Sequence, residues 1–133
     1  MPSSTTWPGI TRRCRKHLTP YDIMQSLTEL ESERLEWSLQ TFTEATAVSS
    51  LRKLEGEIKE VEELLTVPTD ADPFDWIAAL SEEYADCLMC LFDSAGRAGI
   101  SVELITAAFA AKMTKNKARK WAKNPDNSYS HVK

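Results

Sequence analysis

Apolar residues recur three and four apart along most of this chain and are interrupted only at prolines, capping residues and a glycine, which restricts it to helices. Ile23, Leu27, Leu30, Leu35 and Leu39 give a first stripe. Leu51, Leu54, Ile58, Val61 and Leu65 give a second and narrower one. Trp76, Ile77, Leu80, Tyr84, Leu88, Leu91 and Ala95 give a third, and Ile105, Ala108 and Phe109 open a fourth. Thr19-Pro20 predicts the start of the first helix, with Thr19 as cap, Pro20 at the first helical position and an end between Phe42 and Thr46. The second helix is expected from about Ser49 to Leu65, stopped by Pro68. Asp72-Pro73 opens the third and Gly99 closes it. Ser101 caps the fourth, which is expected to run to about Trp121, leaving residues 122–133 as a polar tail. No alternating β-branched run is long enough for a strand. The reading is an all-α, four-helix bundle with short connections over residues 19–133, preceded by a flexible basic arm over residues 1–18.

With 133 residues the chain has room for one domain, and no apolar run reaches the roughly 18 residues of a membrane span. Its N-terminus has basic residues but no apolar stretch of the secretory kind. Cys14, Cys87 and Cys90 read as free thiols of a reducing compartment, so a cytoplasmic protein is expected. The net charge of −4 conceals a sharp division: residues 1–20 carry +4, residues 21–93 carry −14 and residues 94–133 carry +6. An acidic middle with a basic end suits carboxylates that hold cations beside a segment that meets an anion; it equally suits a solvated acidic surface with a basic tail.

Within that acidic middle, Glu57 and Glu60 are three apart on the second helix, and Glu83 and Asp86 are three apart on the third. At about 100° per residue each pair lies within roughly 60° on its own helix. Facing helices can therefore bring four carboxylates to one point, which requires cations or raised pKa values. Hard divalent ions that prefer oxygen ligands, Mg²⁺ or Mn²⁺, fit such a cage; interhelical salt bridges are the other reading. Glu83 falls inside the apolar arc, between Trp76, Leu80, Cys87 and Cys90, where an acid needs a partner or a metal. On the fourth helix, Lys112, Asn116 and Arg119 share one face, which suits phosphate oxygens or a solvated helix end. Cys87 and Cys90 sit in mid-helix with no second ligand pair beyond His17 and His131, so core packing is expected of them. The cluster Arg12, Arg13, Arg15 and Lys16 is short, and no stable nucleic-acid binding is expected.

The ordered set Glu57-x-x-Glu60, Glu83-x-x-Asp86 and Lys112-x-x-x-Asn116-x-x-Arg119-x-Trp121, with 22 residues between the acid pairs, resembles the MazG-type all-α nucleoside triphosphate pyrophosphatases. More narrowly the chain is similar to the phage dATP/dGTP diphosphohydrolase branch, the MazZ-like enzymes. Trp37, Ser38, Thr41 and Phe42 match that branch in the first helix. Asp93, Ala95, Arg97 and Gly99 match it at the end of the third, and His131, Val132 and Lys133 match its ending. The likeness spans residues 25–133. Gly56 stands where the wider family has an additional acid, and Ala122 where it has a proline.

The resemblance implies hydrolysis between the α and β phosphates of a nucleoside triphosphate, giving a monophosphate and pyrophosphate. It implies that Glu57, Glu60, Glu83 and Asp86 hold Mg²⁺ or Mn²⁺, two or more ions per site. It assigns Lys53, Lys112, Asn116 and Arg119 to the phosphate oxygens, and Trp37, Ser38 and Thr41 to the base and sugar. A homo-oligomer, dimer or tetramer, is implied as well. The implied substrate is a purine (deoxy)nucleoside triphosphate, dGTP ahead of dATP, whose dGMP can feed 2-aminoadenine DNA synthesis in a phage. Pool cleaning of non-standard triphosphates is the alternative enzyme reading. A helical interaction module, with its acids as surface charge only, is the alternative outside enzymes.

Overall fold

The structure is a computed structural model and describes residues 25–133; the expected arm, Thr19-Pro20 and Cys14 lie outside the described residues. The first described helix, α1, is Leu27–Thr41, so the single helix expected from Pro20 onward is interrupted at Ser26, whose backbone is extended. Ser26 caps it, its hydroxyl accepting from the Glu29 N–H at 3.1 Å. Helix α2 is Ala47–Thr66 and begins two residues before the expected start. Thr46 and Ser49 form a reciprocal cap: the Ser49 N–H donates to Thr46 Oγ1 at 3.0 Å and the Thr46 N–H to Ser49 Oγ at 2.8 Å. Val67 ends it in extended backbone, the conformation that Pro68 imposes on its predecessor.

Helix α3, Pro73–Arg97, opens as expected on an Asp72 cap with Pro73 in the first turn. It closes on Gly99 at φ 81, which only glycine adopts without strain. There the Ile100 N–H reaches Ala95 O at 2.8 Å and the Gly99 N–H reaches Gly96 O at 3.0 Å, a Schellman ending. Helix α4, Val102–Ala118, is capped by Ser101. Among the described residues, no helix is long and apolar enough to cross a membrane.

The C-terminal expectations need two corrections. Helix α4 stops at Ala118, short of Trp121, because Arg119 turns to extended backbone and its N–H satisfies Asn116 O at 3.2 Å. The Trp121 indole N–H satisfies the same carbonyl at 2.9 Å. Residues 122–133 are not a plain tail either. Strands β1, Trp121–Lys123, and β2, Tyr129–His131, pair antiparallel, with Trp121 opposite His131. Asn127 at φ 70 makes the turn, a backbone region that Asn tolerates.

Helices α2 and α3 form the body of the molecule as an antiparallel pair. The Trp76 indole N–H near the start of α3 donates to Leu64 O near the end of α2 at 2.9 Å. At the opposite end the Ser94 hydroxyl donates to Ala47 O at 2.7 Å. Helix α1 crosses the C-terminal half of α3, where Leu35 lies so close to Gly96 that an added Cβ would sit 2.8 Å from its methyl carbons. Helix α4 leans on α1.

The apolar core of this chain is small. Among the described residues only Val61, Phe92 and Val102 are buried apolar side chains. Most of the predicted stripes face outward: Phe109 is 67% exposed and Ile77, Tyr84, Leu88 and Leu91 are exposed as well, as are Phe74 and Leu104 outside the stripes. The arc expected to bury Glu83, formed by Trp76, Leu80, Cys87 and Cys90, is half-buried, and Glu83 is half-buried with it.

Candidate active site

The antiparallel pairing of α2 and α3 sets the acid pairs of the two helices against each other. Glu57, Glu83 and Asp86 each present one carboxylate oxygen, and these oxygens lie within 4.8 Å of one another. Such an all-oxygen, anionic donor set fits a hard divalent cation. Glu60 is exposed and outside that group, one turn further along α2. Partial desolvation pushes the Glu83 carboxyl above its ordinary range, and the charges of Asp86, Glu60, Glu57 and Glu82 push it further. Lys53, one turn before Glu57, is ion-paired to it, and this pairing raises the Lys53 pKa.

A cavity of about 540 Å³ leads away from the acids. Glu57 and Asp86 line one end, with Lys53 beside them. Trp37 and Phe42 wall the other, their rings 5.2 Å apart and edge to face. That volume suits a small organic ligand, and the lining offers an aromatic face at one end and anionic oxygens at the other. Cys90 lines the cavity as a free, half-buried thiol whose pKa burial raises, and Cys87 is likewise free and half-buried.

The floor of the cavity is a buried polar cluster centred on Asp93. Its Oδ1 accepts from Ser38 Oγ at 2.7 Å and from Arg34 Nη1 at 2.9 Å. Its Oδ2 accepts from Ser50 Oγ and from Arg97 Nε, the latter at 2.8 Å. Burial alone would raise the Asp93 pKa, but the hydrogen bonds from Ser50, Ser38, Arg97 and Arg34 outweigh it and hold the carboxyl well below the usual range. Arg97 also donates to Ala45 O at 2.8 Å and to Phe42 O at 3.1 Å, which fixes the α1–α2 connection. One carboxylate therefore joins α1, α2 and α3.

The other expected site residues divide. Trp37 is on the cavity wall. Ser38 also lines the cavity, but it is 1% exposed and its hydroxyl is fully engaged, donating to Asp93 and accepting from Arg97. It braces the floor and has no hydrogen to offer a base. Thr41 is exposed on α1, outside the cavity lining. Lys112 and Asn116 line a separate shallow groove on α4 with Ile105, Phe109 and Met113. Arg119 lies just past the helix and donates to Asn116 Oδ1 at 3.3 Å. Within one chain these three do not line the carboxylate cavity.

Sequence reasoning missed Arg34, Ser50 and the central place of Asp93. The available signal was Asp93-x-x-x-Arg97, an ion pair one turn apart on a stretch where Phe92 and Ser94 are also buried.

The model of the dATP/dGTP pyrophosphohydrolase family matches residues 30–133. The chain belongs to this family. Among solved structures it is similar to the MazG-like pyrophosphohydrolase of cyanophage S-2L, bound there to dGDP and three catalytic Mn²⁺ ions per active site. The two share 26% identity at a TM-score of 0.60, over 84% of this chain and 97% of that one. No curated protein matches the sequence. Membership in the pyrophosphohydrolase family makes this an enzyme of nucleoside triphosphates, and the four-helix architecture read from its stripes is the MazG-like fold that the resemblance implied.

Proposed function

We propose that the chain hydrolyses a purine deoxynucleoside triphosphate, dGTP ahead of dATP, to the monophosphate and pyrophosphate. One observation carries this reading: a single cavity runs from the Trp37–Phe42 wall to the Glu57 and Asp86 carboxylates. A base laid against Trp37 puts its triphosphate at the acids. Family membership and the dGDP held by the cyanophage relative support the substrate class. Glu57, Glu83 and Asp86, with Glu60 one turn away, would hold Mg²⁺ or Mn²⁺, two or more ions per site. Such ions neutralise phosphate charge and lower the pKa of water. The carboxylates orient the attacking water toward the α phosphorus, and one of them accepts its proton. Lys53, one turn from Glu57, meets the phosphate oxygens on the same side.

Lys112, Asn116 and Arg119 complete the phosphate grip in a homo-oligomer, where α4 of one copy approaches the cavity of another. The exposed stripes on α3 and α4 support that assembly, since surfaces of this kind are covered in stable proteins. A free-nucleotide substrate implies action in the cytoplasm. The dGMP released is suited to supply 2-aminoadenine synthesis in a phage.

A panel of purine and pyrimidine triphosphates with Mn²⁺ or Mg²⁺, run in ¹⁸O-labelled water, tests the reaction. Label is expected on the monophosphate and none on pyrophosphate. Release of orthophosphate, or turnover of pyrimidines alone, overturns the reading.

A further inference from the structure

The floor of the cavity holds a positioned donor that has no role in the reading above. Arg34 lines the cavity, and its side chain is only 10% exposed. A guanidinium carries five N–H groups in a fixed plane. Three of those on Arg34 are matched: Nε and Nη2 donate to Glu31, and Nη1 donates to Asp93. One hydrogen on each Nη atom remains, and among the described residues no side chain or carbonyl accepts it. Arg97, by contrast, is engaged on both of its Nη atoms by carbonyls of the α1–α2 connection and by Ser38.

The surrounding groups narrow what Arg34 can meet. Both Asp93 oxygens already accept two hydrogen bonds each. The Ser38 hydroxyl is engaged, and that of Ser49 accepts from the Thr46 N–H and donates to Thr46 O. The spare N–H groups of Arg34 therefore find no acceptor in Asp93, Ser38 or Ser49. Asp93 follows Asp86 by seven residues, about 10 Å along the helix, so this donor lies at the end of the cavity away from the acids.

We propose that Arg34 is a specificity-determining residue that reads the O6 and N7 acceptors of a guanine base, making this chain prefer guanine to adenine nucleotides. This rests on the nucleotide reading above. Guanine presents two adjacent acceptors on that edge, which a guanidinium fork matches, whereas adenine presents one acceptor and an amino donor. An adenine would leave a buried N–H facing an N–H. Because Arg34 reads only the O6 and N7 edge, hypoxanthine, which carries the same two acceptors, is accepted like guanine.

The test is an analogue series on the wild-type protein, which avoids any question of folding. kcat/KM is measured for dGTP, dITP, 7-deaza-dGTP and dATP. The expected order places dITP with dGTP, while 7-deaza-dGTP and dATP fall by about 5- to 150-fold. In Arg34→Lys, which keeps the cation beside Asp93 but loses the fork, the dGTP:dATP ratio collapses toward one. Equal rates for 7-deaza-dGTP and dGTP overturn the proposal, as does a fall for dITP as large as that for dATP. Calorimetric binding of dGDP, dIDP and dADP with Mn²⁺ separates this inference from the reaction itself. Guanine and hypoxanthine binding ahead of adenine without turnover keeps Arg34 and sinks the hydrolase reading. Turnover that is blind to the purine edge does the reverse.

Discussion

Asp93 is 8% exposed and holds its negative charge against burial because two arginines and two serines surround it. Asp93→Asn removes the charge and strands Arg34 and Arg97, so a loss of about 3–5 kcal/mol is expected in chemical denaturation. The pH dependence follows from the direction of the shift. A carboxyl whose folded pKa is lowered contributes its stability above the unfolded value, about 3.9, and loses it as pH falls toward the folded value. The gap between wild type and Asp93→Asn is therefore constant from pH 5 to 7 and shrinks below about pH 4. Glu83→Gln is expected to keep helix content by circular dichroism, to lose the rise in Tm that Mn²⁺ gives the wild type, and to lower turnover by about 100-fold or more. A mutant that retains both the shift and the rate would remove Glu83 from the cation site. At this scale the spacing was legible, since Glu83 and Asp86 share a helix face by periodicity; that Glu57 faces them comes from the pairing of α2 with α3. The engagement of Ser38 was not, because its partners, Asp93 and Arg97, lie 55 and 59 residues away and a local pattern says nothing of them.

Among the elements, α2 and α3 were read from the sequence to within two residues, because Pro68, Asp72-Pro73 and Gly99 act through their own backbone chemistry. The end of α4 was not, because the hydrogen bonds that stop it come from Trp121, five residues on, and strands of three residues leave no alternation to detect. This correction sharpens the test of the basic stripe. Arg119 is half-buried against Asn116, while Lys120 beside it is exposed. Arg119→Ala is expected to lower kcat/KM by about 10- to 150-fold, the worth of a hydrogen bond to a charged group, and Lys120→Ala by little. Equal losses that vanish at high salt would mean diffuse attraction only. Gly56 lies in mid-helix with nothing within 4 Å of an added Cβ, so Gly56→Ala is expected to stabilise α2 by about 0.5–1 kcal/mol, read as a higher denaturation midpoint.

For the whole molecule, the four-helix architecture was legible and the surface it buries was not. Amphipathic stripes say which face of a helix seeks cover, not whether the cover comes from the same chain. Here Phe109, Ile77 and Leu91 remain exposed in the single chain. Sedimentation is expected to give a dimer or tetramer with a Tm that rises with protein concentration, by mass action. Mixing Glu83→Gln with Arg119→Ala protein is expected to restore part of the activity that each lacks, if α4 serves a neighbouring cavity. No recovery in the mixture would leave each site to one chain.

The seam between α1 and the α2–α3 pair is ionic, with Arg34, Asp93 and Arg97 at its centre, while the exposed faces of α3 and α4 are oily. Cooling weakens the burial of apolar surface far more than it weakens hydrogen-bonded charge pairs. If α4 serves a neighbouring copy as proposed, chilled protein should come apart between copies while each cavity floor stays braced, leaving single chains that keep the aromatic wall and the carboxylates but lack the α4 part of the phosphate grip.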